Sequence, residues 1–80
     1  MITLTLYGRR ACHLCEDMKA ALTGLQARFP FAINERDVDG DALLERDFGD
    51  RVPVLTHGSK YLCHYHLDER LVAAYLAEIS

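Results

Sequence analysis

The chain has 80 residues, half of them hydrophobic and 26% charged, the composition of one globular domain over 1–80 and not of a fibrous or disordered chain. Nine Lys and Arg against twelve Asp and Glu leave a net charge of −3, which argues against a nucleic-acid partner, since that requires a basic face. No apolar run approaches the ~18 residues of a membrane span. Met1 to Leu6 shows neither a basic n-region nor a small-residue cleavage site, so a cytoplasmic protein without membrane association is expected.

Ile2, Leu4 and Leu6 alternate with Thr3, Thr5 and Tyr7, which predicts a strand over 2–7. From Cys12 the period becomes helical, through Leu14, Met18, Leu22, Leu25 and Phe29, until Pro30 ends the run. Phe31, Ile33 and Val38 suggest a second strand over 31–37. Asp39-Gly40-Asp41 reads as a turn and helix cap, followed by a short helix through Ala42, Leu43, Leu44 and Phe48 that stops at Gly49. Val52 to Thr56 reads as a third strand with Pro53 at its start, and His57-Gly58-Ser59 as a hairpin turn into a fourth strand over 60–63. Asp68 caps a last helix with the stripe Leu71, Val72, Tyr75, Leu76 and Ile79. The order β-α-β-α-β-β-α implies an α/β fold. Its parallel pair with a right-handed crossover and its hairpin make a four-stranded mixed sheet with helices on both faces.

Seven of the twelve acids lie between Glu35 and Asp50 and read as a solvated face. The three cysteines are more informative. Cys12-His13-Leu14-Cys15 lies where the first strand's loop becomes the first helix. A thiol at a helix N-terminus meets unpaired N–H groups and the positive end of the macrodipole, both of which favour thiolate. Such placement brings a cysteine pKa from about 8.5 into the ~3.5–7.5 range. Arg9, Arg10 and His13 add positive potential. Residues i and i+3 share a helical face, within reach of a disulfide, so Cys12 can be an exposed nucleophile and Cys15 a shielded resolving thiol. Two other readings stay open: the pair as small hydrophobes in a core, and a zinc set of Cys12, Cys15, Cys63 and His66. A cis Val52–Pro53 bond would turn the Val52 backbone outward to pair with an extended peptide.

Taken together, Leu4-Thr5-Leu6-Tyr7, Cys12-His13-Leu14-Cys15-Glu16, Asp37-Val38-Asp39 and Phe48 to Leu55 resemble the thioredoxin-like superfamily. Within it, the likeness is to a branch of small glutaredoxin-like proteins of poorly defined function. The resemblance implies Cys12 as attacking thiol, Cys15 as resolving thiol, Pro53 as a cis proline, and Arg9 as a basic residue favouring the thiolate or a glutathione carboxylate. His13, Arg51 and Val52 join Arg9 and Pro53 as expected substrate-binding residues. The pattern departs from glutaredoxins in having His13-Leu14 between the cysteines and Arg51 before Val52-Pro53. It also has Leu62 to Asp68, without glycines, where a Gly-Gly-acidic run normally holds glutathione. The expectation is a monomeric thiol–disulfide oxidoreductase acting on protein or small-molecule disulfides. It needs no resident cofactor, and glutathione is at most a weak co-substrate. A metal-binding protein and a non-catalytic peptide-binding module are the alternatives. His57, His64 and His66 are expected as solvent-facing residues, and Cys63 as a half-buried one.

Overall fold

The computed structural model describes all 80 residues. Strands β1 (Ile2–Gly8), β2 (Phe31–Asp37), β3 (Val54–His57) and β4 (Lys60–His64) and helices α1 (His13–Gln26), α2 (Ala42–Phe48) and α3 (Glu69–Ile79) follow in the order β1-α1-β2-α2-β3-β4-α3. The sheet runs β2-β1-β3-β4 in space, with β1 parallel to β2 and antiparallel to β3, and β3 antiparallel to β4.

Alternation along β1 divides the two faces. Leu4 and Leu6 join Leu55 of β3 and Leu62 of β4 against Met18, Leu22 and Leu25 of α1 and Val72 and Leu76 of α3. Leu4, Leu22, Leu55 and Leu76 are fully buried, and truncating one of them to Ala costs about 2–5 kcal/mol. On the opposite parity Tyr7 stacks on Phe48 of α2, with ring centroids 4.1 Å apart. Thus α1 and α3 cover one face and α2 the other. The second face is the thinner layer, since no side chain of α2 is buried and Leu43 stands 63% exposed.

Several boundaries differ from the sequence reading. Helix α1 stops at Gln26, because Ala27 donates to Gly24 O and both Arg28 and Phe29 donate to Leu25 O, tightening the last turn before Pro30. Strand β3 begins after the proline, at Val54, because Pro53 has no N–H to offer; its carbonyl instead accepts from Tyr65 N–H at 2.9 Å. The hairpin turn is the two residues Gly58-Ser59, with Gly58 at φ 61°. His57 therefore belongs to the strand, half-buried, with Nδ1 2.5 Å from the Tyr75 hydroxyl of α3. A bulge leaves Leu62 unpaired between Thr56↔Tyr61 and Leu55↔Cys63, so that Leu62 and Cys63 both face the core. Cys63 is consequently buried, not half-buried. At α3, Leu71 and Ile79 lie exposed beside the β4 edge, leaving Val72 and Leu76 as the buried stripe.

Candidate functional site

The C-terminal end of β1 delivers the cysteine pair. Cys12 has extended backbone, at φ −139° and ψ 104°, and is the N-cap of α1; its Sγ accepts the Cys15 N–H at 3.1 Å. Sulfur thus fills the position where Ser, Thr, Asp or Asn usually takes an otherwise orphaned helix donor. Cys12 and Cys15 are joined as a disulfide, with Cα atoms 5.2 Å apart. The two differ in access: Cys12 is half-buried, while Cys15, one turn in, is buried. His13 stands exposed at the first helical position.

What shields Cys15 is the close approach of Gly8 at the end of β1, a residue to which the sequence reading gives no role. A Cβ built on Gly8 would lie 2.9 Å from Cys15 Sγ and 3.3 Å from its Cβ, so only glycine allows this approach of α1 to β1. The available signal was a glycine ending a strand four residues before the first cysteine.

The sheet brings Val52 and Pro53 to the same end. Tyr7 pairs with Val54, so the next step of the ladder sets Pro53 level with Gly8. The Val52–Pro53 peptide bond is cis. Pro53 is buried and Val52 half-buried, and neither the N–H nor the C=O of Val52 takes part in a hydrogen bond of the loop. An unpaired backbone edge therefore lies beside the disulfide.

The two arginines expected to bind substrate are turned towards α2. Arg9 donates to Glu45 at 2.8 and 2.7 Å, to the Gly49 carbonyl at 2.7 Å and to Asp39. This network raises the Arg9 pKa further above its ordinary value, through the hydrogen bond to Glu45 first, and lowers that of Glu45 through the hydrogen bond from Arg9. Arg51 donates to the Asp47 carbonyl and to Asp50 Oδ1 at 3.3 Å, closing the C-terminal end of α2. Arg10 is exposed by comparison, its side chain 95% accessible and making one long ion pair to Asp37 at 4.0 Å. It borders an open cleft of about 330 Å³ on the β2 side of Cys15, where Lys19 and Glu35 pair at 3.0 Å.

The proposed zinc set is not assembled. No group of three or more His, Cys, Asp or Glu side chains is placed to hold a metal ion. The bulge turns Cys63 into the core, and its pKa is raised by burial. His66 is exposed, in the segment between β4 and α3. His64 is half-buried and bonds the Tyr61 hydroxyl through Nδ1.

Residues 3–77 match the family described as Glutaredoxin-like domain (DUF836). The solution NMR structure of protein Ne2328 from Nitrosomonas europaea is similar at 45% identity, covering 94% of this chain and 91% of that one, with a TM-score of 0.86. The X-ray structure of the structural genomics target XcR50 from X. campestris is 39% identical over 94% of this chain and 96% of that one, with a TM-score of 0.75. No curated protein matches. The order of elements, the Cys12–Cys15 pair at the head of α1 and a match over nearly the whole length agree, and the chain belongs to the glutaredoxin-like domain family.

Proposed function

We propose that the protein is a thiol–disulfide oxidoreductase working through the Cys12–Cys15 dithiol. The observation that carries this reading is the asymmetry of the pair: Cys12 caps the helix and accepts a backbone N–H, while Cys15 is buried against Gly8. A donor aimed at Cys12 Sγ stabilises the thiolate and makes it both the attacking and the better leaving sulfur. In the reduced protein the Cys12 thiolate attacks one sulfur of a substrate disulfide, forming a mixed disulfide and expelling the other sulfur as a thiolate. Cys15, losing its proton, then attacks Cys12 Sγ, which closes the internal disulfide and releases the second substrate thiol. Two electrons pass from the dithiol to the substrate, and external thiols return them in the next cycle.

Protein or small-molecule disulfides are the proposed substrates, paired along the free backbone of Val52. Arg9 and Arg51, engaged with α2, serve in this reading to hold the loops that flank the pair. Side chains fill Leu62 to Asp68, so slow turnover of glutathione mixed disulfides belongs to the proposal. So do a monomeric state, a cytoplasmic location and the lack of a resident cofactor.

The experiment is reduction of a peptide disulfide by pre-reduced protein. Wild type should release two substrate thiols and end as the internal disulfide. Cys12→Ser should be inactive, and Cys15→Ser should stall as a mixed disulfide visible by mass. Full activity in Cys12→Ser would overturn the assignment.

A further inference from the structure

Tyr65 follows β4 directly and has φ 64°, in the left-handed region that an aromatic residue uncommonly adopts. Two hydrogen bonds fix it there. Its backbone N–H donates to the Pro53 carbonyl at 2.9 Å, and its hydroxyl donates to the Asp50 carbonyl at 3.0 Å. These acceptors bracket Arg51 and Val52, so Tyr65 lies along the loop that carries the free Val52 backbone. Both donors of Tyr65 are spent inside the protein. What it still offers a ligand is the ring, 42% exposed and met edge-on by His64 at 4.6 Å between centroids.

We propose that Tyr65 is a specificity-determining residue whose ring walls the Val52 strip. It selects extended polypeptide disulfides with an apolar side chain next to the cysteine over those with a polar one. The inference rests on the reading of Val52 as the edge along which substrate pairs. A strand laid on Val52 sends alternate side chains to either side of its backbone. On the Tyr65 side such a side chain meets an aromatic surface with no donor to give a carboxylate or an amide oxygen. Cross-strand contacts of this kind discriminate by about two- to fivefold.

The test uses thiol–disulfide exchange at equilibrium in Cys15→Ser, where Cys12 is held as a mixed disulfide and turnover is not required. Two short peptides, with Leu or with Gln beside a single cysteine, compete against 2-mercaptoethanol for Cys12. The Leu peptide should be favoured about two- to fivefold. Adding Tyr65→Gly, which suits the positive φ, should bring the ratio to one, and adding Tyr65→Phe, which keeps the ring, should preserve it. A ratio of one with Tyr65 in place, or a ratio unmoved by Tyr65→Gly, overturns the proposal, as does its loss in Tyr65→Phe. A wild type that reduces no disulfide while Cys15→Ser keeps the ratio would refute the oxidoreductase reading alone. Active wild type without the ratio would refute only the role of Tyr65.

Discussion

Arg9 Nη1 and Nη2 each donate to one oxygen of the Glu45 carboxylate, at 2.8 and 2.7 Å, joining the loop before Cys12 to a helix thirty-six residues away. The fork matches the carboxylate with two parallel bonds, the arrangement in which an exposed pair is best ordered. Since α2 buries no side chain of its own, this clamp and the Tyr7–Phe48 stack help to hold it on the sheet. Glu45 has its pKa lowered from 4.5, chiefly by the hydrogen bond from Arg9. A carboxylate with a depressed folded pKa stabilises the fold above its unfolded pKa, and that contribution fades as pH falls through the folded value. Arg9→Gln should therefore lower the Tm at pH 7, with a gap to wild type that narrows below pH ~4. Thermal melts from pH 7 to pH 3 check it; a constant gap would remove the ion pair from the account.

Cys12 should be the thiol that alkylates first in the reduced protein. Its sulfur caps α1 and accepts the Cys15 N–H, whereas Cys15 and Cys63 are buried. The midpoint of its alkylation rate against pH should fall within the ~3.5–7.5 range of cysteines at helix N-termini. Iodoacetamide labelling followed by peptide mass mapping gives both the order and the midpoint. Cys15 reacting first, or a midpoint near 8.5, would contradict the roles assigned to the pair.

Gly8→Ala tests the other half of the asymmetry. The added methyl would sit 2.9 Å from Cys15 Sγ, and Cys15 cannot retreat because α1 is held by Met18, Leu22 and Leu25 in the core. Overpacking of this sort costs about 1–3 kcal/mol. The variant should lose that much stability in denaturant melts and should close the internal disulfide from a Cys12 mixed disulfide more slowly. Unchanged stability and closure rate together would show that the approach of the two elements is looser than described.

The strands, the helices and their order were legible because period-two and helical spacing are strong in β1, α1 and α3, and because Asp41 and Asp68 mark their helix starts as caps. The cysteine pair was legible for the same reason: the change of period falls at Cys12. Features that depend on pairing between strands were not. A bulge at Leu62 has no residue signature, so its effect of turning both Leu62 and Cys63 inward could not be read from alternation. The run His57-Gly58-Ser59 reads as a turn, yet two residues suffice for that turn and the His57 ring reaches Tyr75. The charges of Arg9 and Arg51 were visible, but Glu45, which takes the fork of Arg9, lies thirty-six residues away and only the tertiary fold brings it near, while Arg51 turns back on the Asp47 carbonyl and Asp50. Left-handed backbone at Tyr65 runs against residue type altogether.

Cys63 gives a prediction with a definite sign. Its thiol pKa is raised above the ordinary value, first by burial, against which a hydrogen bond with the Asp68 backbone acts in the lowering direction. As pH rises through the unfolded thiol pKa, near 8.5, the unfolded chain loses this proton while the folded chain keeps it. The unfolded state then binds fewer protons, so stability must fall with rising pH. Wild type should accordingly lose Tm between pH 8 and pH 10 more steeply than Cys63→Ala, whose own Tm at pH 7 is lower because a buried side chain is truncated. Measuring both proteins in the oxidised state keeps Cys12 and Cys15 silent, since their disulfide does not titrate. Thiol counting gives the independent check: oxidised wild type should show no thiol when native and one after denaturation. Parallel Tm slopes in the two proteins, or a thiol that reacts quickly in the native state, would place Cys63 outside the core.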